Sequence, residues 1–186
     1  FKIPKNSTAI MIAVRNNDSD MIKYLLDSHN PKLFLKNYND NDVMDYALLK
    51  TDIETIKYIK EKGNNKNFRP EHLYIAYKRY GPNNYPLYKL LINNGADVRD
   101  FLFINNIDEN FLEFILCDKS HGLDIKFFKY ILEKALEMDA NEGKHYESLM
   151  IAGPHYDGTT TLLTSYIFCV EEIDLDIVKL IISKWP

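Results

Sequence analysis

Apolar residues return at intervals of three and four along almost the whole chain, and few segments alternate with a period of two. The three-to-four spacing places apolar side chains on one face of an α-helix. We therefore predict an all-α fold and assign no strand. Residues 100–107 fit the pattern poorly, and we expect either a shortened helix or an ordered loop there.

The helical pattern itself repeats. Residues 8–13 and 21–26 match residues 42–47 and 55–60 at an offset of 34 residues. A third copy begins at Glu71 and continues at 87–98, a diverged unit has helices near 111–117 and 124–137, and a last copy covers 158–165 and 176–182. Self-similarity at this period is the signature of a repeat array.

The repeated blocks resemble ankyrin repeats, whose first helix reads T-P-L-H-x-A and whose second helix leads into a G-A-D-V-N turn. The run Gly95-Ala96-Asp97-Val98 matches that turn. The first motif position is Thr in Thr8 and Thr160, and the motif His is replaced by Met11, Asp45, Tyr74 and Leu163. The alternative is a TPR-like or other array of helical hairpins.

This resemblance implies an ankyrin-like solenoid of about five divergent helix-turn-helix repeats over residues 1–186. Its units would be 1–38, 39–67, 68–99, 100–140 and 157–186, with 141–156 as a long connecting loop. The segment from Asp139 to Tyr156 is a second candidate contact surface. Second-helix residues should pack against neighbouring repeats. They are Met21, Ile22, Ile56, Leu87, Tyr88, Leu91, Phe127, Phe128, Ile177, Val178 and Ile181.

The run at 173–182, the insertion between its helices and the variable repeat lengths resemble poxvirus ankyrin proteins. That resemblance implies a host protein as partner, a viral host-range or immune-evasion role, and a location in the host cytoplasm or nucleus. Many members of that group carry an F-box-like C-terminal segment that recruits ubiquitin-ligase machinery, and none is visible before Trp185. The adaptor role is therefore not carried over.

Partners of stacked repeats bind the concave face and the turn tips. The resemblance places Ile12, Tyr46 and Ile75 in the exposed first-helix position, with Asn16, Lys50 and Arg79 one turn further on. Packing of the isoleucines and ordinary turn chemistry at the Asn and Asp residues are the alternative explanations. The predicted partner-binding residues are Tyr38, Asp40, Tyr46, Lys50, Phe68, Arg69, His72, Ile75 and Arg79.

Composition narrows the choice of partner. Lys and Arg total 23 against 27 Asp and Glu, a net charge of −4, which argues against nucleic-acid and anionic-membrane partners. No apolar run approaches the roughly 18 residues of a membrane helix, so we expect a soluble protein. The two cysteines, Cys117 and Cys169, favour a reducing compartment, and we expect both to be buried and inert.

Residues typical of catalysis are not arranged as a site. The five histidines and two cysteines show no metal-ligand spacing, and no Walker motif occurs. We predict no enzyme activity, cofactor or metal, although a cleft joining His145, His155 and a carboxylate would change that view. A structural spacer within a longer ankyrin protein is the other alternative. The apolar last helix predicts further repeats, a special cap or self-association at that end.

Overall fold

A computed structural model describes residues 4–29, 31–63, 67–100, 102–104, 107–118, 120–143 and 161–184. The chain divides into two compact units. The first comprises Phe1–Tyr80 and Leu87–Gly95, and the second comprises Gly81–Pro86 and Ala96–Pro186.

The first unit is built from helical hairpins. Its helices are α1 (Ala9–Arg15), α2 (Ser19–Ser28), α3 (Val43–Lys50), α4 (Ile53–Lys62), α5 (Pro70–Tyr80) and most of α6 (Tyr85–Asn93). Helix α1 packs against α3, α3 packs against α5, and α2 packs against α4. First helices therefore contact first helices, and second helices contact second helices, as stacked repeats require.

The first helices begin in the same way. In α1 and α3 the N-cap side chains of Thr8 and Asp42 accept backbone hydrogen bonds, and the residue three positions on bonds back to the N-cap N–H. These capping boxes satisfy N–H groups that the helix itself leaves open. At α5 the backbone N–H of Arg69 donates to His72 Nδ1 at 3.0 Å, three residues further on.

The third repeat therefore begins two residues earlier than predicted. The equivalent of Met11 and Asp45 is His72, not Tyr74, so the motif His is present in this repeat. The prediction was wrong because it followed the apolar residues after Glu71 rather than Pro70, whose ring suits the first turn of a helix.

Besides the short 3-10 helix Gly81–Asn83, the second unit contains four α-helices and one hairpin of strands among its described residues. They are β1 (Leu102–Ile104), β2 (Ile107–Glu109), α7 (Phe111–Cys117), α8 (Ile125–Asn141), α9 (Leu162–Cys169) and α10 (Leu175–Lys184). Helix α7 packs against α8 and α9. Thr161 caps α9, one residue later than predicted.

The strands β1 and β2 are antiparallel, with Leu102 opposite Glu109. They occupy much of the stretch for which we expected a shortened helix or a loop, so that local expectation is wrong. The apolar run Leu102–Ile104 is followed in the sequence by Asn105 and Asn106, and a polar link of two residues is a hairpin pattern that helical periodicity does not detect. Elsewhere the five predicted helix pairs are present, and the helical repeat fold is confirmed.

The predicted core is largely confirmed. The fully or almost fully buried second-helix residues are Ile22, Ile56, Leu87, Tyr88, Leu91, Phe127, Phe128, Ile177 and Ile181. Met21 is the exception, with 44% of its surface exposed, and Val178 is half-buried. Each lies beside a fully buried neighbour, Ile22 or Ile177, which occupies the inner face of its helix at that point.

Cys117 and Cys169 are exposed, and the prediction that they are buried is wrong. Each is the last residue of its helix, where the apolar stripe no longer faces a neighbouring helix. Across the parts of the chain that the structure describes, no helix combines the length and hydropathy needed to cross a membrane.

Candidate protein-binding surface

A tight turn at residues 37–41 connects the first two repeats. Its centre is the buried Asn37, whose Oδ1 accepts the backbone N–H groups of Asn39 and Asn41 at 2.9 and 3.2 Å. Its Nδ2 donates to the Tyr46 hydroxyl at 2.8 Å. Tyr46 is only 8% exposed, so its predicted place on an open face is wrong. The Tyr46 hydroxyl stabilises the turn by accepting this hydrogen bond from Asn37.

The same turn presents Tyr38 to solvent. Tyr38 is 79% exposed, while its backbone N–H donates to the carbonyl of Lys5 at 3.0 Å. Asp40 is exposed and accepts an ion pair from Lys36 at 2.6 Å. The predicted exposure of both turn residues is confirmed. An aromatic side chain on a backbone held by several hydrogen bonds is pre-organised for contact with another protein.

The first-helix positions differ from the predicted ladder. Lys50 is exposed, whereas Ile12 and Ile75 are half-buried. Arg79 is exposed, its Nη1 donates to the Leu48 carbonyl at 2.8 Å, and its guanidinium lies 4.5 Å from the Tyr80 ring centre. Arg79 thus links α5 to α3 and still offers a charged face to solvent.

Arg69 and His72 lie in a charged network between α3 and α5. Arg69 Nη2 is 2.9 and 3.0 Å from the two Asp45 oxygens and 3.4 Å from Asp42 Oδ2. His72 Nε2 is 3.3 Å from Asp45 Oδ1. Because His72 Nδ1 accepts a backbone hydrogen bond, its ring hydrogen lies on Nε2 and faces Asp45. His72 is 3% exposed, so it acts between helices and presents little surface to a partner.

The two carboxylates of this network titrate differently. Burial, followed by the negative charge of Asp45, raises the pKa of Asp42 above its usual 3.8. Burial also acts to raise the pKa of Asp45, but hydrogen bonds from His72 and the Asp42 backbone, with the charge of Arg69, bring it below 3.8. Of the two carboxylates, Asp45 therefore has the lower pKa and stays ionised to lower pH.

Asp42, Asp45 and His72 place potential metal-ligand atoms within 4.8 Å of one another. The guanidinium of Arg69 already lies against both carboxylates, and His72 turns a ring hydrogen toward Asp45. A divalent cation would have to displace Arg69 and deprotonate that nitrogen. These residues therefore fit an ion-paired link between repeats better than a metal centre.

A pocket of about 370 Å³ lies beside this network. Phe68, Arg69 and His72 line it together with Asp42, Lys36 and Lys60. The apolar lining residues are Leu33, Phe34, Val43, Met44 and Ile59. Three of the predicted site residues thus come together in one concavity. Phe68 is 3% exposed and forms part of the wall rather than an exposed turn tip.

Sequence reasoning missed Lys60, which is only 7% exposed. Its ammonium lies 5.4 Å from the centre of the Phe68 ring, and burial lowers its pKa. Lys60 follows Ile56 at a spacing of four and thus lies on the apolar stripe of α4. That spacing could have identified it. The predicted second contact surface at 139–156 lies mainly outside the described residues.

The second unit holds a separate charged network centred on Arg99. Arg99 Nη2 lies 2.6 Å from both Asp97 Oδ2 and Glu142 Oε1, and Nη1 lies 2.9 Å from Asp139 Oδ1. Asp139 is fully buried. The network joins the start of the unit to the end of α8 and leaves the Arg99 side chain 12% exposed.

The geometry of the first unit defines a helical-repeat protein with a pre-organised turn and a concavity. Comparison with protein families agrees, because residues 2–70, less than half of the chain, match the family model described as ankyrin repeats (3 copies). Comparisons with curated proteins and with solved structures gave no significant match. Ankyrin repeats are protein-interaction modules, and proteins built from them are typically non-enzymatic.

Proposed function

We propose that this protein binds another protein through the turn at residues 37–41 and the C-terminal ends of α3 and α5. The observation that carries the proposal is Tyr38, which is 79% exposed on a turn fixed by the buried Asn37. Tyrosine is enriched among the residues that dominate interface energetics, and a rigid backbone reduces the entropy lost on binding.

Charged side chains at the helix ends complete the proposed surface. Lys50 and Arg79 are exposed at the ends of α3 and α5, and Asp40 lies in the turn itself. An aromatic contact combined with charged groups of both signs is typical of a protein interface with a polar rim. The membership of this turn in the stretch that matches ankyrin repeats supports the same function.

The finer part of the proposal concerns the partner. Resemblance to poxvirus ankyrin proteins favours a host protein and a role in viral host range or immune evasion, in the host cytoplasm or nucleus. The alternative is a spacer within a longer ankyrin protein, without a partner of its own. Only the sequence resemblance supports the viral role, whereas the exposed turn supports protein binding whatever its source.

The test compares Tyr38→Ala with Tyr24→Ala, a control in another exposed tyrosine of the same unit. Proteins captured from cell lysate would be identified by mass spectrometry, and the purified partner's Kd would then be measured by calorimetry. We expect Tyr38→Ala to raise Kd by about tenfold or more, as loss of an interface hot spot does. Tyr24→Ala should leave Kd unchanged. Equal binding of the partner by all three proteins would overturn the role of Tyr38, whereas the absence of any captured partner would favour the spacer.

A further inference from the structure

Positive charge is concentrated where α3 and α5 end, in a chain whose net charge is −4. Residues 72–96 contain no Asp or Glu, although they include Lys78, Arg79 and Lys89. Lys50 is the last residue of α3 and Arg79 is the last but one of α5, and both are exposed. Neither forms an ion pair with any residue that the structure describes. The charge of these two cations is therefore available to an external anion.

Two hydrogen bonds hold the end of α5 against the end of α3. Arg79 Nη1 donates to the Leu48 carbonyl at 2.8 Å, and the Tyr80 hydroxyl donates to the Thr51 carbonyl, also at 2.8 Å. These carbonyls lie on either side of Lys50 along the chain. Carbonyls at a helix C-terminus lack partners within the helix, so side chains of α5 supply partners here. Lys50 and Arg79 thus project from adjoining segments of the backbone.

The guanidinium of Arg79 keeps one edge open. Nη1 is bonded to the Leu48 carbonyl, and the guanidinium carbon lies 4.5 Å from the centre of the Tyr80 ring. Nε and Nη2 make no hydrogen bond to the described part of the chain. The Nε–Nη2 edge can bind a carboxylate through two parallel hydrogen bonds. Because the carbonyl and the ring already position the guanidinium, less side-chain entropy is lost when a carboxylate binds.

The acidic residues nearest to Lys50 along the chain contact other groups. Asp52 is the N-cap of α4, and its Oδ1 accepts the Thr55 N–H at 2.7 Å. Hydrogen bonds from the Thr55 backbone and side chain lower the pKa of Asp52. Asp45 is paired with Arg69. Neither carboxylate neutralises Lys50 by direct contact.

We propose that Arg79 and Lys50 bind two carboxylates of an acidic segment of the partner protein, one on the Nε–Nη2 edge of Arg79 and one on the Lys50 ammonium. The inference rests on the proposed function and specifies what the partner presents to the ends of α3 and α5. A protein segment is favoured over nucleic acid because the net charge of −4 repels a polyanion, and because α3 lies within the stretch that matches ankyrin repeats.

The geometry also suggests a spacing for the two acidic residues. Packed helices such as α3 and α5 are about 8 to 10 Å apart. In the polyproline II conformation every third side chain lies on the same side of the segment, about 9 Å from the next. Two acidic residues separated by two others therefore fit one cation on each helix.

The test is an NMR titration of the full 15N-labelled chain with acetylated and amidated peptides. One peptide contains Glu-Pro-Pro-Glu, and the matched peptides contain Gln-Pro-Pro-Gln or Lys-Pro-Pro-Lys. At about 20 mM salt, where charges are weakly screened, the Glu peptide should bind with a Kd on the order of 1 mM and shift the Arg79 Nε–Hε resonance. The Gln and Lys peptides should leave that resonance unchanged. Equal shifts with the Glu and Gln peptides would overturn the proposal.

Three variants that each remove one positive charge locate the binding. Arg79→Gln should raise Kd for the Glu peptide about tenfold and Lys50→Gln about threefold, as the loss of charged hydrogen bonds does. Lys89→Gln is the control, since Lys89 is an exposed cation of α6. It should leave Kd nearly unchanged. An equal effect of all three variants would show that the peptide responds to overall charge, and the proposed site would be wrong.

Arg79→Lys separates charge from geometry. It keeps the positive charge but loses the edge that makes two parallel bonds, so it should weaken binding almost as much as Arg79→Gln. Circular dichroism checks that each variant is folded. If the Arg79 variants do not fold, Lys50→Gln against Lys89→Gln still decides, and equal Kd values for that pair would contradict the proposal.

Several outcomes separate this inference from the proposed function. The carboxylate site is overturned if about 5 mM of the Glu peptide causes no shift, since that excludes even millimolar affinity. Tighter binding of inorganic phosphate or of single-stranded oligothymidine than of the Glu peptide also overturns it. Protein capture that depends on Tyr38 would stand in both cases. Binding of the Glu peptide would stand, in turn, if Tyr38→Ala left capture unchanged.

Discussion

The first compact unit joins Arg69 to Asp45, 24 residues earlier, whereas the second joins Arg99 to Asp139, 40 residues later. Arg99 donates through Nε, Nη1 and Nη2 to three carboxylates. Arg69 meets its carboxylates through Nη2, and its buried Nε makes no hydrogen bond within the described structure. Arg99 thus donates to carboxylates through all three of its side-chain nitrogens, whereas Arg69 does so through one.

The residue that the other members of the network share therefore differs between the units: it is a carboxylate in the first unit and an arginine in the second. In the first unit Asp45 accepts bonds from the Asp42 backbone and Arg69 and faces the ring hydrogen of His72. In the second unit Arg99 is the shared partner, since Asp97, Asp139 and Glu142 all converge on it. Losing the shared partner should therefore be the most damaging change in each network.

The largest effect is expected for Asp45→Ala. The change leaves the Arg69 guanidinium and the His72 ring hydrogen without their common acceptor in a mostly buried site. We expect the free energy of unfolding to fall by about 3 to 5 kcal/mol, as when one partner of a buried ion pair is removed. Urea denaturation followed by circular dichroism measures it.

The control is Asp40→Ala. Asp40 also pairs with a cation, Lys36, but its side chain is 78% exposed. Removal of a surface ion pair changes stability by about 0 to 1 kcal/mol, and placing Ala at the left-handed backbone position of Asp40 (φ 62°) adds about 1 kcal/mol. A loss no greater for Asp45→Ala than for Asp40→Ala would show that the α3–α5 network does not hold the repeats together.

A smaller effect should distinguish the two arginines directly. Arg99→Lys replaces a planar group that binds three carboxylates by a single ammonium, and we expect a loss of about 2 kcal/mol. Arg69→Lys should lose less, because Arg69 uses one terminal nitrogen that an ammonium can imitate. Thermal unfolding of the two variants tests the order, and a greater loss for Arg69→Lys would reverse the comparison.

Apolar spacing predicted the helix pairs and most of the core. Ile22, Ile56 and Leu91 are buried as expected, because a continuous stripe at helical spacing has to be covered by a neighbouring element. The start of α5 was misplaced because the apolar residues that follow Glu71 matched the earlier repeats. The hydrogen bond from Arg69 to His72 Nδ1 fixes that start, and it depends on polar residues that periodicity ignores.

The candidate site was less predictable than the fold. Exposure of Tyr38 and Asp40 followed from turn residues in the sequence. Burial of Tyr46 depends on Asn37, nine residues away, whose side chain bonds the hydroxyl only once the turn has closed. The pocket likewise depends on contact between Lys60 and the Phe68 ring, which no local sequence pattern predicts. Both the burial of Tyr46 and the pocket are therefore set by contacts between separate elements of the chain.

The smallest effect that we expect is on the way stability changes as the pH falls. Burial acts to raise the pKa of Asp97, but the hydrogen bonds from Arg99 outweigh it and place the pKa below 3.8, whereas the pKa of Asp42 lies above 3.8. Folded Asp97 binds its proton less tightly than unfolded Asp97, so its stabilising contribution is full above pH 3.8 and is lost as the pH falls through its folded pKa. For Asp42 the sign is opposite: protonation as the pH falls through its raised pKa favours the folded chain.

Carboxyl 13C NMR should therefore show Asp42 titrating at higher pH than Asp97. In urea unfolding between about pH 3 and 6, Asp97→Asn should lessen the loss of stability on acidification, because the variant lacks a carboxylate that the fold keeps ionised. Asp42→Asn should make that loss steeper, because it removes a group whose protonation offsets it. If both variants changed the slope in the same direction, the two networks would respond to acid alike and the contrast between the units would not extend to pH.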